Sequence, residues 1–225
     1  MLEAKKSKLF EKIFYVYNHN LLKRRFHSLN IRGSENFSTK DPNFPLLIYA
    51  NHSSWWDGLV IFEILQMFAF ENYFMMEEKQ LKNLPLFRKL GAFSVIRENP
   101  RESLKSINYA VKKLKENPKT AVVIFPQGEI LPNDLRPIKF FNGVSKIIEK
   151  SEKCYYVSIA VRYEFLNYFK PEIFVNIGSV KKIENNGNYE YKKLTNELEL
   201  ELTRDLDKLK ERFVSNKLND FENLL

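Results

Sequence analysis

The sequence predicts an α/β fold: a single domain with a mostly parallel central sheet flanked by helices, preceded by an N-terminal amphipathic helical segment. Two observations carry this. Short apolar runs of strand length alternate with longer stretches at helical spacing, the pattern of parallel strands joined by crossover helices. The chain has 225 residues, of which 44% are hydrophobic and 14% aromatic, enough for one core of ordinary size. The expected organisation is residues 1–40 as the N-terminal helical segment, 41–184 as the α/β core, and 185–225 as a C-terminal helix packed on it.

Taken in order, residues 9–26 interleave Phe10, Ile13, Phe14, Val16, Tyr17, Leu21 and Leu22 with Lys8, Lys12, Lys23, Arg24 and Arg25. Two readings are open. The segment is an interfacial helix lying on lipid, or a helix whose apolar stripe packs on the domain. Residues 44–50 are an apolar run opened by prolines and read as a buried strand. Residues 58–76 form the longest apolar stretch. Glu63, Gln66, Glu71 and Asn72 within it argue against a membrane span and for a buried helix.

A Pro85 turn leads to a second strand at 91–97, with Arg97 at its end. Leu104, Ile107, Val111 and Leu114 recur at helical spacing, and residues 120–125 give a third buried strand. Residues 140–150 read as helix, while 155–163 and 173–177 read as strands. From Tyr191 onward, Leu194, Leu198, Leu202, Leu206, Leu209 and Phe213 form one helical stripe. Asn185-Asn186-Gly187-Asn188 is a flexible turn that separates this helix from the core.

Composition narrows the classes of function. With 36 Lys+Arg against 28 Asp+Glu, the net charge is +8 and the pI about 9.3, which favours an anionic partner. The basic residues are spread along the chain and form no nucleic-acid module, so no nucleic-acid partner is expected. The single cysteine, Cys154, excludes an internal disulfide and offers no cluster for a metal, so neither a metal nor another cofactor is expected. The charged N-terminus does not read as a secretory signal. The expected location is cytoplasmic, peripheral at the inner face of the membrane, with contact through residues 9–26.

In parallel sheets, chemistry gathers where loops leave the carboxyl ends of strands. Three such loops stand out. Asn51-His52-Ser53-Ser54-Trp55-Trp56-Asp57 places His and Asp five apart, which on one helix would separate them by about 140°. They meet only if His52 precedes the helix, with Ser53 or Ser54 as its N-cap and Asp57 in its first turn. A carboxylate holding one imidazole nitrogen then leaves the other as a general base. The competing reading is a capping-box variant with a loop histidine. The second loop presents Arg97, suited to a phosphate or to a surface ion pair. The third, Phe125-Pro126-Gln127-Gly128, is a tight turn bearing polar groups.

These blocks in this order resemble the lysophospholipid and glycerolipid acyltransferase family, of the 1-acylglycerol-3-phosphate acyltransferase type. That family's Asn-His-x4-Asp, Gly-x-Ile/Phe-x-Val-x-Arg and Phe-Pro-Glu-Gly blocks correspond to residues 51–57, 91–97 and 125–128. The resemblance spans roughly residues 40–180. It implies an O-acyltransferase with His52 as general base, Asp57 as its orienting partner, and Arg97 with the Phe125–Gly128 turn as substrate-binding groups. The co-substrates implied are an acyl thioester donor, acyl-CoA or acyl-carrier protein, and a lipid acceptor. Backbone N–H groups near Gly128 are candidates for an oxyanion site.

The third block departs from the family: Gln127 replaces its glutamate, and Ile130 its phosphate-binding arginine. Losing one charge-assisted contact costs about 1.5–3 kcal/mol. Arg136 either restores that charge by reaching back or is a solvated loop residue. The departure points to an acceptor lacking that phosphate, such as a glycosylated lipid, the sugar hydroxyl of a carotenoid glycoside, or another lipid alcohol. The alternative is a catalytically inactive membrane-associated scaffold of the same fold. A serine hydrolase is disfavoured because the chain contains no Gly-x-Ser-x-Gly elbow.

Overall fold

The computed structural model of the protein describes residues 1–38, 40–184 and 190–225. Its elements are α1 (Lys8–Arg25), β1 (Leu29–Arg32), β2 (Leu46–Ala50), α2 (Asp57–Met67), β3 (Glu71–Glu77), α3 (Glu78–Asn83) and β4 (Ala92–Val95). There follow α4 (Pro100–Glu116), β5 (Thr120–Ile124), α5 (Gly143–Ser151), β6 (Lys153–Glu164), β7 (Glu172–Ile177), β8 (Lys181–Glu184), α6 (Tyr191–Val214) and β9 (Glu222–Asn223). Among the described residues they build one sheet in the order β4-β3-β5-β2-β6-β7-β1-β9, with β8 paired to β6. The pairings from β4 to β6 are all parallel. Strands β7 and β8 run antiparallel to β6, and β1 is parallel to β7. The expected mostly parallel α/β domain is therefore what forms.

The apolar runs become central strands because both faces of the sheet are covered. All five residues of β2 are buried. Alternation sorts them: Leu47 and Tyr49 face the layer of α4, α5 and α6, while Leu46, Ile48 and Ala50 face α1 and α2. Burying each large side chain contributes about 1.5–3 kcal/mol. Helix α4 starts where Asn99 caps it, its side chain accepting from the N–H groups of Arg101 and Glu102, with Pro100 in the first turn.

Three expectations need revision. Residues 58–76 are not one helix. Helix α2 ends at Met67, Ala69 adopts φ 54°, and the chain returns as β3 beside β5. A continuous apolar run is compatible with a buried helix or a buried strand, and this one is both in succession. Helix α2 is entered through Trp56 with no side-chain cap, so neither Ser53 nor Ser54 is its N-cap. The N-terminal segment is not wholly helical, since Leu29–Arg32 alternates buried and half-buried residues and pairs with β7. The turn at 185–188 lies outside the described residues.

Because β3, β5, β2 and β6 are parallel, their carboxyl ends share one edge of the sheet. The loops after them converge there.

Candidate active site

Strand β2 ends at Ala50, and Asn51 anchors the start of the loop beyond it. Its side-chain amide pairs with both backbone groups of Val161 on β6, accepting from the N–H at 2.8 Å and donating to the carbonyl at 2.9 Å. The next residue, His52, is thereby held at the sheet edge in a loop ahead of α2. Asp57, the first residue of α2, is fully buried and turns back on this loop. Its Oδ2 accepts from His52 Nδ1 at 2.9 Å and from the N–H groups of Ser53 and Ser54 at 2.7 and 2.8 Å. Its Oδ1 accepts from the Tyr163 hydroxyl at 2.7 Å. Donors therefore occupy both oxygens. With Nδ1 donating to Asp57, the lone pair of the ring resides on Nε2.

The turn after β5 supports the same histidine. Phe125 stacks on the His52 ring with centroids 4.5 Å apart. Gln127 is almost buried, and its Oε1 accepts from the His52 N–H at 2.8 Å. The Leu131 N–H donates to the His52 carbonyl at 2.8 Å. Gln127 thus braces the loop and does not face substrate. An acceptor oxygen suffices for that role, which an amide supplies as well as a carboxylate does. Gly128 sits at φ 76°, and a Cβ there would lie 2.3 Å from Arg97 Nη1, so both conformation and space favour glycine. Its N–H donates to the Phe125 carbonyl and closes the turn, so it is not a free oxyanion donor.

A cavity of about 670 Å³ opens beside His52, within the range of ligand sites. Its wall is mainly apolar, with Phe14 of α1, Phe62 of α2, Phe74 of β3, Phe87, Leu104 and Val144 among the lining side chains. Polar side chains among the lining include His52, Glu77, Gln80, Arg97 and Lys146. Arg97 lines this cavity together with Pro126 and Gly128, but its charge is already engaged. Nη1 donates to the Gly128 carbonyl at 2.6 Å, Nη2 lies 3.8 Å from the Glu77 carboxylate, and the guanidinium stacks over Phe141. Ile130 borders the cavity where the resembling family has arginine. Arg136 does not join the group: it pairs with Asp207 and with the carbonyls of Asn133 and Leu135, away from the cavity wall.

The structure therefore brings His52, Asp57, Arg97, Phe125, Pro126, Gln127 and Gly128 together and leaves Arg136 outside. Sequence reasoning missed Tyr163 and Glu77. Tyr163 lies 106 residues from the carboxylate it serves, with no local signal to connect them. Burial, and then the Asp57 charge, push its phenol well above its ordinary value, so it is a neutral donor.

The family model described as Acyltransferase matches the chain over residues 28–162, from the start of β1 almost to the end of β6. No curated protein matches the chain. The matched region holds the dyad, the Arg97 strand and the Phe125–Gly128 turn, and it spans more than half of the sequence, so the protein belongs to the glycerolipid acyltransferase family.

Proposed function

We propose that the protein transfers a fatty acyl group from an acyl thioester, acyl-CoA or acyl-carrier protein, to a hydroxyl of a lipid acceptor at the cytoplasmic surface of a membrane. One observation carries the chemistry: an imidazole oriented by a buried carboxylate stands at the wall of an apolar cavity. Nε2 of His52 takes the proton of the acceptor hydroxyl as its oxygen attacks the thioester carbonyl. The C–S bond then breaks, and the leaving sulfur takes that proton from the imidazolium. Asp57 holds the ring in the required tautomer and stabilises the transient positive charge. The cavity wall, rich in phenylalanine, suits an acyl chain.

The polar lining favours an acceptor without the usual phosphate. Arg97 is spent on Gly128 and Glu77, Ile130 brings no charge, and Arg136 is tied to α6. A glycosylated lipid or another lipid alcohol fits this mixture of hydrogen-bonding groups, in which Glu77 offsets Arg97 and Lys146 is the remaining cation. Membrane association draws support from α1, which exposes Leu9, Ile13, Val16 and Tyr17 beside Lys8, Lys12, Lys23 and Arg24. No helix among the described residues is long and apolar enough to cross a membrane.

The test incubates purified protein with radiolabelled palmitoyl-CoA, or palmitoyl-carrier protein, and a total lipid extract, with His52→Ala alongside. Labelled lipid made only by the unmutated protein supports the reading and identifies the acceptor by mass spectrometry. Equal product from His52→Ala would eliminate His52 as the base.

A further inference from the structure

Strand β6 is parallel to β2, so the loop after it emerges at the same edge as His52. That loop, residues 165–171, connects β6 to β7 and is unusually apolar for an exposed tip. Phe169 is 98% exposed, Phe165 71%, Tyr168 50% and Leu166 40%. Four large apolar side chains grouped in water mark a contact surface. The loop is also fixed in place. His27 donates its N–H to the Pro171 carbonyl and stacks on Tyr168, and Lys170 Nζ donates to the Lys23 carbonyl at the end of α1.

The surroundings are basic. Lys23, Arg24 and Arg25 form the exposed last turn of α1, and Lys170 closes the tip. The nearby carboxylates are engaged: Glu164 pairs with Arg162, and Glu172 is buried under Ser28. An aromatic path then leads from the end of β6 to the cavity. Tyr163 packs on Phe26, Phe26 on Trp56 and Trp56 on Trp55, which is half exposed and lines the cavity.

We propose that residues 165–169 are a wedge that inserts into an anionic phospholipid bilayer, seating the cavity mouth on the membrane with α1 alongside. The inference rests on the reading that the protein works at a membrane surface, and adds a second point of attachment. Apolar side chains flanked by cations match an anionic headgroup layer over hydrocarbon. A protein partner would not require the cations.

The experiment is vesicle flotation with liposomes of phosphatidylcholine and phosphatidylglycerol. It compares the unmutated protein, Phe165→Ser/Phe169→Ser, and Leu9→Ser/Ile13→Ser/Val16→Ser on the outer face of α1. The tip variant is expected to keep its thermal midpoint, because both side chains lie in water, and to lose roughly tenfold in membrane partitioning. A fluorophore on Phe169→Cys is expected to shift to shorter wavelength when vesicles are added. Labelling is selective, since Cys154 is buried and its thiol is pushed up to about 12.

Unchanged partitioning of the tip variant, with loss in the α1 variant, overturns the wedge and keeps the membrane reading. Failure of the unmutated protein to float overturns both. A dimer in solution that the tip substitutions dissolve, without vesicle binding, would assign the tip to a second copy of the chain and overturn the proposal.

Discussion

Asp57→Asn separates the charge of the carboxylate from its geometry. Three donors meet at Oδ2: the His52 ring and the N–H groups of Ser53 and Ser54. An asparagine that turned its NH2 toward them would oppose three donors at once. Its carbonyl therefore takes the Oδ2 position, and its NH2 faces Tyr163, whose hydroxyl can accept as well as donate. The ring is therefore expected to keep Nδ1 toward residue 57, so that only the negative charge is lost.

The difference between a charged and a neutral hydrogen bond is about 1–1.5 kcal/mol. The full attraction between an imidazolium and a carboxylate about 4 Å away is about 4 kcal/mol at an effective dielectric of 20. These bounds place the loss in kcat between roughly tenfold and a thousandfold. KM for the thioester should change little, and the thermal midpoint should remain near that of the unmutated protein. Single-turnover kinetics and calorimetry read both quantities. Full activity in Asp57→Asn, or loss of the fold, would refute the assignment of Asp57 as a charge partner in a preformed site.

Tyr163→Phe removes the donor at Oδ1 and should lower kcat several-fold. Because the phenol stays protonated above its ordinary value near 10, its donor role is present below that value and persists as pH rises past it. The ratio of the two rates should therefore remain flat between pH 6 and pH 10, and a ratio that collapses in that window would exclude the role. Glu77→Gln leaves Arg97 with an uncompensated charge in the cavity lining. Transfer to a lysophosphatidate acceptor should rise relative to a neutral lipid alcohol, read as the ratio of kcat/KM for the two. No change in that ratio would mean that Glu77 does not set acceptor charge.

The central fold is legible in the sequence because β2 and β5 are short, wholly buried apolar runs, which only a sheet covered on both faces accommodates. The dyad is legible because five-residue spacing requires His52 to lie ahead of the helix that Asp57 begins. Residues 58–76 mislead because their break, at Phe68-Ala69-Phe70, contains neither glycine nor proline and relies on Ala69 in a conformation its sequence does not advertise. Tyr163 and Glu77 depend on strand neighbours that sequence order conceals. The role of Gln127 is hidden for another reason: a substitution beside a catalytic motif invites a chemical explanation, whereas its amide acts on the backbone of His52.

Helix α1 serves two environments at once. Its outer face carries Leu9, Ile13, Val16 and Tyr17, while Phe14 on its inner face packs on Phe62 and Phe87 and forms part of the cavity wall. Asn18 and His19 pin it to the buried Glu63 of α2. One helix, about 10 Å across, is then all that stands between the exposed apolar side chains on that side and the interior of the pocket. Truncation of the first 26 residues would breach the pocket as well as remove the proposed attachment. The two duties can be told apart only by changing one side of the helix at a time.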